Sequence, residues 1–244
     1  MSTLSRLLNS TVGMKITMAV TGIVLLGFVF VHMIGNLQIF THDPTKALGD
    51  YAVFLATAGH GSVKYGARAV LLLSVGMHIA SAVRLVQLQG AARPQAYAVK
   101  KNLASTYASR TMRWSGPIIL LFIIYHLLHF TVGGVGGGYV NAESVYANVY
   151  NGFSLPAVAG FYLVAQLALG PHLAHGAYSL LRSLGLESAE KAALAKKAAV
   201  AFGVLVTVGN CSIPLYVLSG MAPTPGKYEA AASVSPVPSA SQEH

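Results

Sequence analysis

The sequence predicts an all-α integral membrane protein of five transmembrane helices, and three observations carry that prediction. The chain has 244 residues, of which 54% are hydrophobic and only 9% charged, where a soluble domain carries about a quarter charged. Its apolar residues gather into five runs, each near the roughly 20 residues that a helix needs to cross the hydrocarbon core. All 7 acidic residues, Asp43, Asp50, Glu143, Glu187, Glu190, Glu229 and Glu243, fall outside those runs. Buried helices of a soluble protein would not need five such runs in so short a chain.

The expected spans are about 16–40, 65–88, 114–132, 155–181 and 198–219. The first is uncharged and too long for the apolar region of a signal peptide, so it reads as a retained helix. The second carries Arg68 and Arg84 near its ends, where long side chains snorkel to the interface. Together the five make one membrane domain over 1–220. The Ala-, Ser- and Pro-rich tail 221–244 is expected to be disordered. The loop 133–154, rich in glycine and tyrosine, is expected to cap the outer face. No internal repeat is evident beyond a near-regular spacing of histidines.

The net charge of +9 does not point to nucleic acid, because its sources lie between apolar runs. Arg6, Lys15, Arg84, Arg93, Lys100, Lys101, Arg110, Arg113, Arg182, Lys191, Lys196 and Lys197 fall on one side. Only Lys46, Lys64, Arg68 and Lys227 fall on the other. The positive-inside rule then places the N-terminus in the cytoplasm and the C-terminus outside. The single cysteine, Cys211, excludes an intrachain disulfide, a cysteine-ligated iron–sulfur cluster and a covalent C-x-x-C-H haem.

Ionisable residues inside a membrane are rare and usually functional, and here they are histidines: His32, His78, His126 and His129, His172 and His175, spread over the first four spans. At 1.5 Å rise per residue, His32 lies roughly 24 Å from Lys15 and His126 roughly 20 Å from Arg113. His78 lies only about 9 Å from Arg84 and His172 about 15 Å from Arg182. Odd spans thus supply an outer pair and even spans an inner pair. Two imidazoles facing each other across a four-helix bundle suit a bis-histidine haem, so the first four helices are expected to surround two stacked b-type haems. One intramembrane histidine is as well explained by a polar contact between helices; four at matching depths are not. Gly22, Gly27, Gly76 and Gly170 precede the histidines and would admit a ring or a close helix, and Pro171 would aim His172 by a kink. Spacing alone does not choose within His126/His129 or His172/His175, since residues i and i+3 share a face. The spare of each pair could bond a haem propionate or a quinone.

Three segments resemble the b558-type cytochrome subunit of succinate dehydrogenase. They are T-G-I-V-L-L-G-F-V-F-V-H-M at 21–33, R-W-S-G-P-I-I-L-L-F-I-I-Y-H-L-L-H-F at 113–130, and H-L-A-H-G-A-Y-S at 172–179 followed by Gly185. The resemblance covers all five spans and implies a single-chain, di-haem membrane anchor of a succinate:quinone or quinol:fumarate oxidoreductase. It implies axial ligation by His32 and His126 for the distal haem b, and by His78 and His172 for the proximal one. It also implies a flavoprotein and an iron–sulfur subunit docked on the cytoplasmic face of a bacterial inner membrane, with menaquinone as the expected quinone. Quinone chemistry needs protons, and the spans hold no carboxylate. The candidates are His175, Ser81 and Arg182 near the inner haem, or His129, His60 and Tyr65 near the outer one. The competing readings are the di-haem anchor of another quinone-linked dehydrogenase, of hydrogenase or formate dehydrogenase type, and a non-haem transporter.

Overall fold

A computed structural model describes residues 10–92, 107–141, 144–186, 188 and 190–226, with backbone alone for 107–110. Among them there is no strand. Helix α1 (Thr11–Asn36) tightens into a 3-10 turn over Leu37–Phe40. Helix α2 (Pro44–Thr57) and a second 3-10 turn (Ala58–Gly61) lead into α3 (Ser62–Ala91). Helix α4 (Tyr107–Leu127) closes in a π turn over Leu128–Val132. Then come α5 (Val145–Phe153), α6 (Pro156–Ser183) and α7 (Ala192–Leu218).

Five of these helical segments are long and apolar enough to cross a membrane: α1, α3, α4 with its π turn, α6 and α7. Each runs past its apolar stretch on the side where basic residues gather: α1 starts at Thr11, α3 ends at Ala91, α4 starts at Tyr107, α6 ends at Ser183 and α7 starts at Ala192. Hydropathy stops at the first charge; helical hydrogen bonding does not. The ends have local causes. Ser10 caps α1 by accepting from the Gly13 amide at 2.9 Å. After α6, Gly185 at φ 69 lets the Gly185 and Leu186 amides reach back to Arg182 and Leu181 carbonyls at 3.2 and 2.9 Å, the double bond of a Schellman stop.

Two helices in the outer loops go beyond the sequence expectation. Helix α2 has Asp43 as its cap, accepting from the Lys46 amide at 3.0 Å, with Pro44 at its first position. Helix α5 packs against it, and their apolar faces join the span ends in one core of Ile39, Leu48, Tyr146, Phe153, Tyr162, Ile213 and Val217. Both loops thus cap the span ends farther from the N-terminus. The tail residues 227–244 lie outside the described residues, as do Arg6, Arg93, Lys100, Lys101 and Lys227.

Helix α1 packs on α3, α4 packs on α6, and α1 meets α6; α6 also lies along α7. Helix α3 makes no comparable packing with α4 or α6. The α6–α7 seam is close because both helices place glycine at the crossing. A Cβ on Gly203 would stand 2.6 Å from the Gly170 carbonyl oxygen. Asn210 donates to Gln166 across the same seam at 3.1 Å, the kind of interhelical polar contact that membrane helices use. Large apolar side chains such as Leu72, Leu73, Leu121, Val164 and Leu205 point outward and are more than half exposed, as a lipid-facing surface requires.

Candidate functional site

The four histidines sit on four helices: His32 on α1, His78 on α3, His126 on α4 and His172 on α6. At the outer level the rings of His32 and His126 lie with centroids 5.8 Å apart and planes at 87°. His32 stacks on Phe28 at 5.3 Å and 19°, and His126 packs against Phe122 at 5.8 Å. At the inner level His172 lies within electrostatic reach of His78 and His175.

The inner histidines share one arrangement. His78 Nδ1 lies 3.1 Å from the Thr21 hydroxyl of α1, and that hydroxyl donates its own proton to the Thr17 carbonyl at 2.7 Å. Thr21 must therefore accept from His78 Nδ1–H. His172 Nδ1 lies 3.0 Å from the buried Ser115 hydroxyl of α4, which leans on the Met112 carbonyl at 3.4 Å. For His78 the proton is thereby held on Nδ1 and the lone pair stays on Nε2; for His172 the same tautomer requires Ser115 to give its own proton to the Met112 carbonyl. A hydrogen bond to one ring nitrogen sets the tautomer at the other, and metal-ligating histidines are usually held this way.

These contacts expose an internal repeat that the sequence reading missed. The two hydroxyl–histidine pairs have the same separation, 57 positions. Thr21 and Ser115, Gly22 and Gly116, Phe28 and Phe122, His32 and His126, Gly76 and Gly170, and His78 and His172 are all offset by 94 positions. The hairpin of α1 and α3 is thus echoed by that of α4 and α6. Few residues carry the echo, so only the pairing of their side chains makes it visible.

The glycines divide in function. A Cβ on Gly22 would meet His78 Cε1 at 3.7 Å, so Gly22 faces the inner histidine. Gly170 instead faces α7, where a Cβ would run into Thr207, and Gly27 and Gly76 have open space beside them. Pro171 lies within a helix that continues to Ser183.

The remaining candidates lie apart. Ser81 is buried on α3, His175 is partly buried on α6, and Arg182 is exposed at the end of that helix beside the Tyr178 ring. His60 stands in left-handed backbone at φ 54, between Gly59 and Gly61, which also have positive φ. Tyr65 is exposed, with Lys64 at 6.0 Å from its ring centre. His129 is enclosed: it is 1% exposed, stacks on Phe130 at 4.0 Å and puts Nδ1 3.0 Å from the Tyr162 hydroxyl. Thr21, Ser115 and Tyr162 were not picked out from the sequence, although a polar residue in an apolar span is a signal in itself.

Among the described residues, no three or more His, Cys, Asp or Glu side chains converge, and His32 and His126 meet as a pair. Such pairs suit an iron held axially in a macrocycle. Imidazole–metal bonds of about 2 Å place facing rings roughly 6 Å apart; the outer rings stand at 5.8 Å, a spacing that His126 also keeps from Phe122 and Phe130.

A family model described as succinate dehydrogenase/fumarate reductase transmembrane subunit matches residues 87–210. The matched stretch contains His126 and His172, with His32 and His78 upstream of it. No curated protein and no solved structure matches the chain.

Proposed function

The chain belongs to the succinate dehydrogenase/fumarate reductase transmembrane subunit family, and from that premise we propose that it is the di-haem cytochrome b anchor of a succinate:quinone oxidoreductase working with menaquinone. His78 and His172 would hold the inner haem b, and His32 and His126 the outer one. The observation that carries this reading is the matched pair of Nδ1–hydroxyl bonds, Thr21 to His78 and Ser115 to His172. With each proton on Nδ1, both inner imidazoles would offer an Nε2 lone pair. Bound there, the haems supply one-electron steps between an iron–sulfur partner and a quinone.

The chain's own residues do the rest. Thr21 and Ser115 orient the inner rings, while Phe28 and Phe122 pack against the outer ones. Lys15, Arg84, Arg113, Arg182, Lys191, Lys196 and Lys197 put positive charge at the inner helix ends. That rim would receive the iron–sulfur and flavoprotein subunits on the cytoplasmic face of a bacterial membrane, with the N-terminus cytoplasmic and the C-terminus outside. With no carboxylate in the spans, protons for quinone would be held by His175, Ser81 or Arg182 near the inner level, or by His129, His60 or Tyr65 near the outer.

Purification of the tagged chain from membranes in mild detergent tests the reading. We expect a flavoprotein and an iron–sulfur protein to copurify, and succinate to reduce a b-type absorption band. A chain that comes away without those partners, or without b-type absorption after dithionite, contradicts it.

A further inference from the structure

We propose that Tyr162 is a positioning residue of the outer histidine pair, its one hydroxyl proton coupling the tautomer of His126 to that of His129. The Tyr162 hydroxyl lies 3.0 Å from His129 Nδ1 and 3.4 Å from His126 Nδ1. Tyr162 is 5% exposed and His129 1%, so water does not compete for these bonds. A phenol carries one proton. It can donate to one imidazole and must then accept from the other, so the two histidines hold opposite tautomers. For His126 to offer the Nε2 lone pair, its proton must sit on Nδ1 and point at Tyr162. The phenol proton then goes to His129 Nδ1, and His129 carries its own proton on Nε2.

His129 is held where this coupling needs it. A Cβ on Gly136 or on Gly152 would come within 2.8 or 2.7 Å of its Nε2, so the cap closes on the ring from two sides and prevents it from turning away. Its buried Nε2 makes no hydrogen bond of good geometry among the described residues, and the Gly137 carbonyl that approaches the ring would accept from an Nε2–H, the tautomer that a Tyr162 donor requires. The internal repeat makes the device one-sided. The position 94 residues before Tyr162 is Arg68, so the α1–α3 hairpin has no phenol there. His32 and His126 are equivalent in the repeat, and only His126 is tied to a tyrosine.

This inference rests on the two-haem reading, and its test separates the two. The assembled complex would be purified with wild-type chain, Tyr162→Phe, His129→Gln and Ser115→Ala, and each scored for haem per chain, haem midpoint potentials and low-spin electron paramagnetic resonance. We expect Tyr162→Phe and His129→Gln to keep two haems and to shift the signal of the same one, the one lost in His126→Ala. Ser115→Ala should shift the other. Rescue of that signal in His129→Asn, whose Oδ1 takes the place of Nδ1 and can accept from Tyr162 where the longer Gln side chain carries its amide past it, would support coupling through the hydroxyl, and a His129→Asn signal as shifted as that of His129→Gln would contradict it. Two retained haems with unchanged signals in Tyr162→Phe would overturn the inference while leaving the haem reading intact. If Tyr162→Phe fails to assemble, unchanged signals in His129→Gln overturn it equally. A wild-type complex without haem removes the reading beneath it.

Discussion

The α1–α3 and α4–α6 hairpins carry five identical residues and one Thr/Ser pair at a common offset of 94 positions, yet they sit in different surroundings. The second hairpin is enclosed at α6, where α7 lies along it and the α2–α5 cap covers its end through Tyr146, Phe153 and Tyr162, while α4 is as open as α3. The first leaves most of α3 exposed. Equivalent residues therefore face unequal constraints. The shared part, a hydroxyl on His78 and another on His172, marks what both hairpins must do. The unshared part, the aromatic cap and the glycine seam, marks what holds only one of them in place.

The largest effect should come from breaking that enclosure. Tyr146 is 2% exposed in the cap core and donates to the Pro223 carbonyl, and Phe153 is 5% exposed beside it. Truncating either to alanine should cost about 3–5 kcal/mol, read as a lower melting temperature of the complex in detergent. Next, the paired glycines should diverge. Gly170→Ala drives a Cβ into Thr207 on α7, and overpacking of this kind costs about 1–3 kcal/mol. Gly76→Ala meets nothing within 4 Å and should leave the melting temperature unchanged or slightly raised. Equal losses at the two positions would show that the hairpins are not held differently.

A smaller effect tests the shared part. Thr21→Val and Ser115→Ala each remove the acceptor for an Nδ1–H, worth about 1 kcal/mol. Both should perturb the same inner haem in a redox titration if, as proposed, His78 and His172 hold one haem between them. Perturbation of two different haems would break the pairing. The smallest effect belongs to Lys46, whose ion pair with Asp50 is exposed on α2. Exposed pairs contribute little, so Lys46→Ala should not move thermal unfolding measurably.

The five spans were legible because hydropathy over some twenty residues is a strong signal, and the histidines because an ionisable group in such a run stands out. The helix ends were read short on the basic side, where charge ends the apolar run before the helix ends. Helix α2 was missed although Asp43-Pro44 is a cap followed by a first-turn proline. In α5, Tyr146, Val149, Tyr150 and Phe153 follow helical spacing, yet the loop was read by its glycine and tyrosine content. The hydroxyl partners were out of reach for a different reason. Thr21 meets His78, and Ser115 meets His172, across 57 positions, and only helix pairing brings them together. The repeat was hidden for the same cause.

The most direct measurement is haem per chain in the purified complex for wild type and for His32→Ala, His78→Ala, His126→Ala and His172→Ala. We expect two haems in wild type and one in each variant. His32→Ala and His126→Ala should lose the same haem by potential and spectrum, and His78→Ala and His172→Ala the other. Two haems retained in any of the four, or a loss that pairs His32 with His78, would contradict the two-level arrangement.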